Sequence, residues 1–244
     1  MDDSVQFILL VAFVYVAALV LGYNPLGIVL GVLVLGLTYR PGIAETRATP
    51  ALPIVDHLDD AGVERTHLVG ASLGGMIAQR YVLDYDRAES LALLCTTPGG
   101  DDAVPIPEET QARMLAVPDE YGPSETIRHK MEPAFTEAFW ADNQDVVDRI
   151  VDWRLETDPS EDAYEWQSAA AVGFDASDEL GAIDLPTLVL HGTADRVLPV
   201  ENGRLLSEGI PGAELVEVEG GSHLFFVEQD ERVTAEIREF VTDG

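Results

Sequence analysis

The stretch Gly70-Ala71-Ser72-Leu73-Gly74-Gly75 constrains this chain more than any other. It matches G-x-S-x-G, the pattern of a sharp strand-to-helix turn that lifts a serine hydroxyl above the end of a sheet. The serine backbone is strained in such a turn. Side chains two positions to either side would collide with the neighbouring strand and helix, so glycine is needed there. The setting matters more than the five letters, which recur by chance. Here the apolar run His67-Leu68-Val69 leads in and a helical run from Met76 to Leu83 leads out. An ordinary glycine-rich turn between a strand and a helix is the alternative.

Helices and strands alternate on both sides of that turn. Thr49 is placed to N-cap a helix with Pro50 at its first position and Gly62 at its end; Leu52, Val55, Leu58 and Ala61 share one face of it. Strands are expected at His67–Val69 and Leu91–Cys95, with a helix from Leu73 to Asp84 between them. The alternation resumes with a buried strand, Thr187–His191, a helix at Glu201–Glu208, a strand at Ala213–Val218 and a last helix with Val233, Ile237, Phe240 and Val241 on one face. This pattern predicts an α/β fold: a mainly parallel sheet covered on both faces, three layers in all.

Between the two α/β parts, residues 103–184 show helical periodicity and no convincing strand. Val146, Val147, Ile150 and Val151 make one apolar face, and all three tryptophans, Trp140, Trp153 and Trp166, lie here. The domains expected are therefore a core of 40–102 and 185–244 and a helical insertion, 103–184. An aromatic-rich insertion fits a cap over a pocket, with Trp166 and Phe174 as candidates to line it. A helical subdomain that uses tryptophan only for packing is the alternative.

Residues 1–39 stand apart. Between Asp3 and Arg40 there is no charge, Phe7–Leu21 is unbroken apolar sequence, and Leu26–Leu37 is a second apolar run after the turn Gly22-Tyr23-Asn24-Pro25. With its flanks the first run reaches the about 20 residues needed to span a bilayer. The acidic start, Met1-Asp2-Asp3, argues against a signal peptide. Residues 5–37 thus read as a membrane helix or hairpin. The alternative for Leu26–Leu37 is a buried strand, because Ile28, Val29, Val32 and Val34 are β-branched and the run is short for a spanning helix.

Acidic residues outnumber basic ones 44 to 14, for a net charge of −30, and Lys130 is the only lysine. Phosphates would be repelled, which excludes nucleic acid as a partner. The acids are spread too evenly for a disordered tail. Such a surface suits the cytoplasm of a high-salt cell, where molar salt shortens the Debye length to about 3 Å; a cation-binding surface is the alternative. Cys95, the single cysteine, lies in an apolar run and is expected to act as a small hydrophobe. The five histidines show no paired metal-ligand spacing, so no metal site is expected, and His57, His67 and His129 are assigned structural or solvent roles.

A serine hydroxyl is a weak nucleophile at neutral pH. It needs a base to take its proton, and the base needs an acid to fix its tautomer. The turn therefore predicts an acid and then a histidine, each just after a later strand. Asp195 follows the strand ending at His191, and His223 follows the next strand within Gly220-Gly221-Ser222-His223. His191 is the alternative base, and Asp101 or Asp102 the alternative acid.

Through Gly70–Gly75, His191–Arg196 and Gly220–His223 the chain resembles the α/β-hydrolase superfamily. The run Gly70-Ala71-Ser72-Leu73-Gly74-Gly75-Met76-Ile77-Ala78-Gln79 is similar to its capped esterase and lactonase branch, which includes enol-lactonases, methylesterases and cofactor-free haloperoxidase-like proteins. The similarity spans Tyr39 to Val241. It implies an α/β-hydrolase sheet with a cap, no cofactor, a small ester or lactone as substrate, acylation of Ser72, proton relay by His223 and orientation by Asp195. The Leu73 N–H is the expected oxyanion donor. Members of this family have further strands before this turn, the nucleophile elbow, and a His-Gly loop that supplies a second donor. No such loop precedes Ser72, and Arg40-Pro41-Gly42 looks like a later loop, so the chain reads as truncated there, or with its first strands replaced by the apolar segment. The expected function is a serine hydrolase of impaired activity. A non-catalytic remnant, tethered to a membrane or binding a partner, and a cofactor-free perhydrolase or acyl transferase are the alternatives.

Overall fold

The computed structural model describes residues 28–29, 58–59, 62–158 and 161–243. Its sheet is parallel throughout, in the order β1 (Ile28–Val29), β2 (Thr66–Ala71), β3 (Ala88–Leu94), β4 (Thr187–Gly192) and β5 (Glu214–Val218). Parallel neighbours need crossovers, and helices supply them: α1 (Leu73–Asp84) joins β2 to β3, and α7 (Glu201–Gly209) joins β4 to β5. Strands covered on both faces read as continuous apolar runs, and every residue of β4 is buried.

Two apolar layers sandwich the sheet. On one face Leu68, Leu91, Leu93 and Val189 pack with Ile77 and Tyr81 of α1 and with Leu206 of α7. On the other, Val69, Ala92, Leu188 and Leu190 meet Phe225 of α8 (Phe225–Glu228) and Val233 of α9 (Asp230–Asp243). Periodicity did not reveal the one-turn helix α8.

Leu58 and Asp59 are helical, and Leu58 is fully buried in the first layer. Gly62 ends that helix as expected. Its φ of 66° is one a side chain rarely adopts, and it lets the Val63 N–H reach back to the Leu58 carbonyl at 2.9 Å. The start of this helix, at Thr49 and Pro50, lies outside the described residues, as do the expected membrane segment Phe7–Leu21 and the Arg40-Pro41-Gly42 loop. Within the second apolar run, Ile28 and Val29 pair in parallel with His67 and Leu68. At these two positions the chain is a β-strand. No helix among the described residues is long and apolar enough to cross a membrane.

The excursion between β3 and β4 is helical: α2 (Glu108–Leu115), α3 (Pro123–Met131), a 3₁₀ turn at Glu132–Ala134, α4 (Glu137–Asp142), α5 (Gln144–Thr157) and α6 (Glu161–Val172). Pro123 opens α3 where its missing N–H costs nothing, and the Thr136 hydroxyl accepts the Phe139 N–H at 3.2 Å to cap α4. Ile127, Met131, Phe135, Val147, Ile150 and Val151 form a small core of their own. The chain leaves and re-enters the sheet layer at one point, where Gly99 bridges Asp175 and the Ala176 N–H donates to the Pro98 carbonyl. The end of the segment expected to be cap, 176–184, already packs on the sheet: Leu180 and Ile183 belong to the first layer.

Leu180→Ala is therefore expected to cost about 2–5 kcal/mol in urea denaturation, as for a core leucine. Val172→Ala, at a cap position 89% exposed, is expected to stay within about 0.5 kcal/mol. Equal small losses would place 176–184 outside the sheet core.

Candidate active site

Ser72 sits between β2 and α1 with φ 52° and ψ −123°. Its strained backbone is pinned from β3: the Ser72 N–H donates to the Leu94 carbonyl at 2.9 Å, and the Thr96 hydroxyl donates to the Ser72 carbonyl at 2.7 Å. A Cβ at position 70 would stand 2.5 Å from the Gly74 carbonyl oxygen, so glycine is needed where the motif has it. The Leu73 N–H lies in the first turn of α1, where an N–H has no acceptor within its own helix.

Asp195 lies in the loop after β4, its side chain wholly buried. One carboxylate oxygen, Oδ1, accepts the N–H groups of Val197 at 2.7 Å and Leu198 at 2.9 Å. The other, Oδ2, accepts the Nδ1–H of His223 at 2.8 Å. Burial pushes this carboxyl up, but the charge of His223 and hydrogen bonds from His191 and His223 outweigh it and hold the group far below the ordinary value. His223 comes from the loop after β5. The two loops touch through backbone: the Ala194 N–H donates to the Gly221 carbonyl at 2.9 Å, and a Cβ at position 192 would lie 2.2 Å from that same oxygen. The Ser72 hydroxyl donates to His223 Nε2 at 3.1 Å. The three residues singled out in the sequence thus meet in one hydrogen-bonded chain, at the C-terminal ends of β2, β4 and β5, where parallel sheets place their ligands.

The alternatives do not reach this point. Asp101 and Asp102 are exposed on the turn after β3. His191 is fully buried and donates its Nε2–H to the Leu198 carbonyl at 2.8 Å, so it is not the base for Ser72. His67 contacts Ser90 and Glu89, and His129 donates to the Ala116 carbonyl; His57 lies outside the described residues. Burial pushes the Cys95 thiol well up, consistent with an inert hydrophobe. Among the described residues no three His, Cys, Asp or Glu side chains gather as metal ligands.

Beside Ser72 an apolar wall joins core and cap: Met76, Ala134, Val197 and Leu198 pack with Leu73, Met114, Phe174 and Leu224. Phe174 is in this wall, whereas Trp166 is half-exposed on α6 and outside it. Sequence reasoning missed Arg196, which donates to the Phe135 carbonyl at 3.0 Å, and Glu228, which accepts from the Ser222 hydroxyl and the Thr136 N–H. Arg196 stands next to the candidate acid, but its partners are some sixty positions away, and no local pattern announces them.

Comparison with known proteins extends the resemblance. The chain is 33% identical over 208 residues to the poly(3-hydroxyalkanoate) depolymerase of Ectopseudomonas oleovorans, covering 83% of this chain and 68% of that protein. It is 30% identical over 185 residues to the 2-hydroxy-6-oxo-6-phenylhexa-2,4-dienoate hydrolase of Comamonas testosteroni, covering 71% of this chain and 60% of the relative. Among solved structures, the enol-lactonase of Burkholderia xenovorans LB400 superposes with a TM-score of 0.67 at 26% identity, over 78% of this chain and 70% of that one. A thermophilic esterase of Thermogutta terrifontis does so with a TM-score of 0.61 at 28% identity, over 80% and 71%. The family match itself spans residues 15–236 and so reaches back past Tyr39 to take in the run Leu26–Leu37. On that match, and on the sheet and loops that carry Ser72, Asp195 and His223, the chain belongs to the alpha/beta hydrolase family.

Proposed function

We propose that this chain is a serine hydrolase of carboxylic esters or lactones, with Ser72 as nucleophile, His223 as general base and acid, and Asp195 as the group that orients the imidazole. The observation that carries this reading is the unbroken chain from Ser72 Oγ to His223 Nε2, at 3.1 Å, and from His223 Nδ1 to Asp195 Oδ2, at 2.8 Å. Ser72 Oγ attacks the carbonyl carbon as His223 Nε2 takes its proton, and the developing oxyanion turns to the Leu73 N–H. Collapse breaks the acyl C–O bond; His223 returns its proton to the leaving alkoxide, and the acyl group stays on Ser72. A water molecule, deprotonated by the same nitrogen, then releases the acid and restores the serine. The enol-lactonase and esterase names among the solved neighbours support this substrate class. The wall of Met76, Leu198, Phe174 and Leu224 suits an apolar acyl or alkyl group. The excess of acidic residues supports a high-salt cytoplasm as the setting.

In molar KCl, a fluorophosphonate probe should label the wild-type chain and leave Ser72→Ala unlabelled, and kcat on a short-chain p-nitrophenyl ester should fall about 10³-fold or more in that variant. The absence of any labelling that depends on Ser72 would sink the enzyme reading.

Asp195→Asn should lower kcat by about 10³–10⁴-fold by favouring the wrong imidazole tautomer. It should also change stability in a pH-dependent way. A carboxyl held below its ordinary 3.8 contributes stability that is present above that pH and is lost as pH falls below it. Denaturation curves of the two proteins should therefore differ most at neutral pH and converge below 3.8.

Raising KCl from about 0.1 M to about 1 M shortens the Debye length from ~10 to ~3 Å and should raise the unfolding temperature. A midpoint that is flat or falls with salt counts against the high-salt setting.

A further inference from the structure

His191 is a buried titratable side chain that the proposed chemistry does not use. It is the penultimate residue of β4 and has no exposed surface. Among the described residues its Nδ1 has no hydrogen-bond partner. A leucine there would fill the strand end without stranding a polar atom, so the imidazole is a costly choice unless its other nitrogen does something. That other nitrogen, Nε2, donates to the Leu198 carbonyl at 2.8 Å and lies 3.4 Å from Asp195 Oδ2. Leu198 is in turn one of the two residues whose N–H groups hold Asp195 Oδ1. The ring is seated closely as well: a Cβ on residue 203 of α7 would stand 2.7 Å from Nδ1, so Gly203 leaves the space that the imidazole fills.

We propose that His191 is a positioning residue for Asp195, a proposal that rests on the Ser72–His223–Asp195 reading above. One Nε2–H anchors the loop carbonyl beside the carboxylate and faces the oxygen that receives His223. Both carboxylate oxygens are thereby fixed, one through the Leu198 backbone and one directly. With that brace removed, the carboxylate turns and the imidazole of His223 loses its alignment with Ser72. A misplacement of this kind, about 1 Å at a catalytic group, is worth up to about 10²-fold in rate.

Three substitutions separate this role from packing. His191→Gln sets an amide nitrogen near the Nε2 position and keeps the donor; His191→Asn sets one near Nδ1 and loses it; His191→Leu removes both. In folded protein, kcat should fall about 10–100-fold in the Asn and Leu variants with KM unchanged within about twofold, and Gln should recover most of the loss. Added to Asp195→Asn, His191→Leu should cost nothing further, because both act through one carboxylate. Gly203→Ala, which pushes on the ring without altering it, should reproduce the kcat loss and covers the case where the leucine variant does not fold.

Proton NMR supplies a readout independent of turnover. The low-field His223 Nδ1–H resonance, assigned by its absence in His223→Gln, should persist in His191→Gln and vanish in His191→Asn. The proposal is overturned if that resonance survives unchanged in the Asn and Leu variants, or if the His191 and Asp195 losses add in full. Activity that persists in Ser72→Ala overturns the Ser72 triad reading instead, and the NMR comparison still decides whether His191 orders the carboxylate.

Discussion

A carboxylate with no contact with water has to have its charge met, and the Asp195 loop is arranged around that requirement. Its oxygens accept the N–H groups of Val197 and Leu198 and the Nδ1–H of His223, with His191 Nε2 standing 3.4 Å away. These donors come from three places: the end of β4, the loop itself and the loop after β5. Leaving any one of them out would strand charge in a medium that penalises it heavily, so meeting the charge also fixes how the loops sit against each other. The backbone contact at Gly192 and Gly221 follows from the same demand, because the two loops must approach closely for His223 to reach Asp195.

The cap is tied to those same loops. Its 3₁₀ turn is the anchor: Arg196 donates to the Phe135 carbonyl, the Leu224 N–H donates to the Ala134 carbonyl at 2.8 Å, and the Thr136 N–H donates to Glu228 at 2.6 Å. Thr110 of α2 adds a bond from its hydroxyl to the Arg196 carbonyl at 2.7 Å, and Glu132 pairs with both Arg113 and Arg196. The ion pairs are partly exposed and add little stability by themselves. Apart from Arg113–Glu132, which lies within the cap, the contacts share a direction: each runs from the cap to a residue within five positions of Asp195 or His223. A displacement of the cap is therefore felt by the groups that align the candidate nucleophile, and not only by the apolar wall that includes Leu73.

Much of this could be read from the sequence because it depends on local signals. A strand buried on both faces is a run such as Thr187–His191, a helix end is Gly62, and an elbow is two glycines around a serine between a strand and a helix. Ser72, Asp195 and His223 stand out as candidates because each lies just after a strand, and the C-terminal edge of a parallel sheet is where such loops converge. Contacts across the fold were not readable in this way. Nothing near Arg196 points to Phe135, and nothing near Leu180 says that it packs with the sheet rather than the cap. Residues Ile28 and Val29 sat between two readings, since a short β-branched apolar run suits a buried strand and a membrane helix alike; pairing with His67 and Leu68 separated them. The part played by His191 was hidden for a different reason. A histidine closing a buried strand looks structural until the acceptors of its N–H are known.

Strain completes the picture. Among the described non-glycine residues, Ser72 and Cys95 are the two with positive φ, at 52° and 41°, and they follow the C-terminal ends of adjacent strands, β2 and β3. Conformations of this kind cost about 1–3 kcal/mol each and persist only where the surroundings over-determine them. Here the restraints are mutual. The Ser72 N–H is held by Leu94 at the end of β3, the Ser72 carbonyl by the Thr96 side chain, and the Cys95 N–H by the Leu190 carbonyl of β4 at 3.0 Å. Each strained residue is fixed by the strand or loop that the next one leaves, so the hydroxyl position is set by the sheet register and not by the mobility of a loop. That is the arrangement a nucleophile needs if its proton is to be taken by a base anchored three strands away.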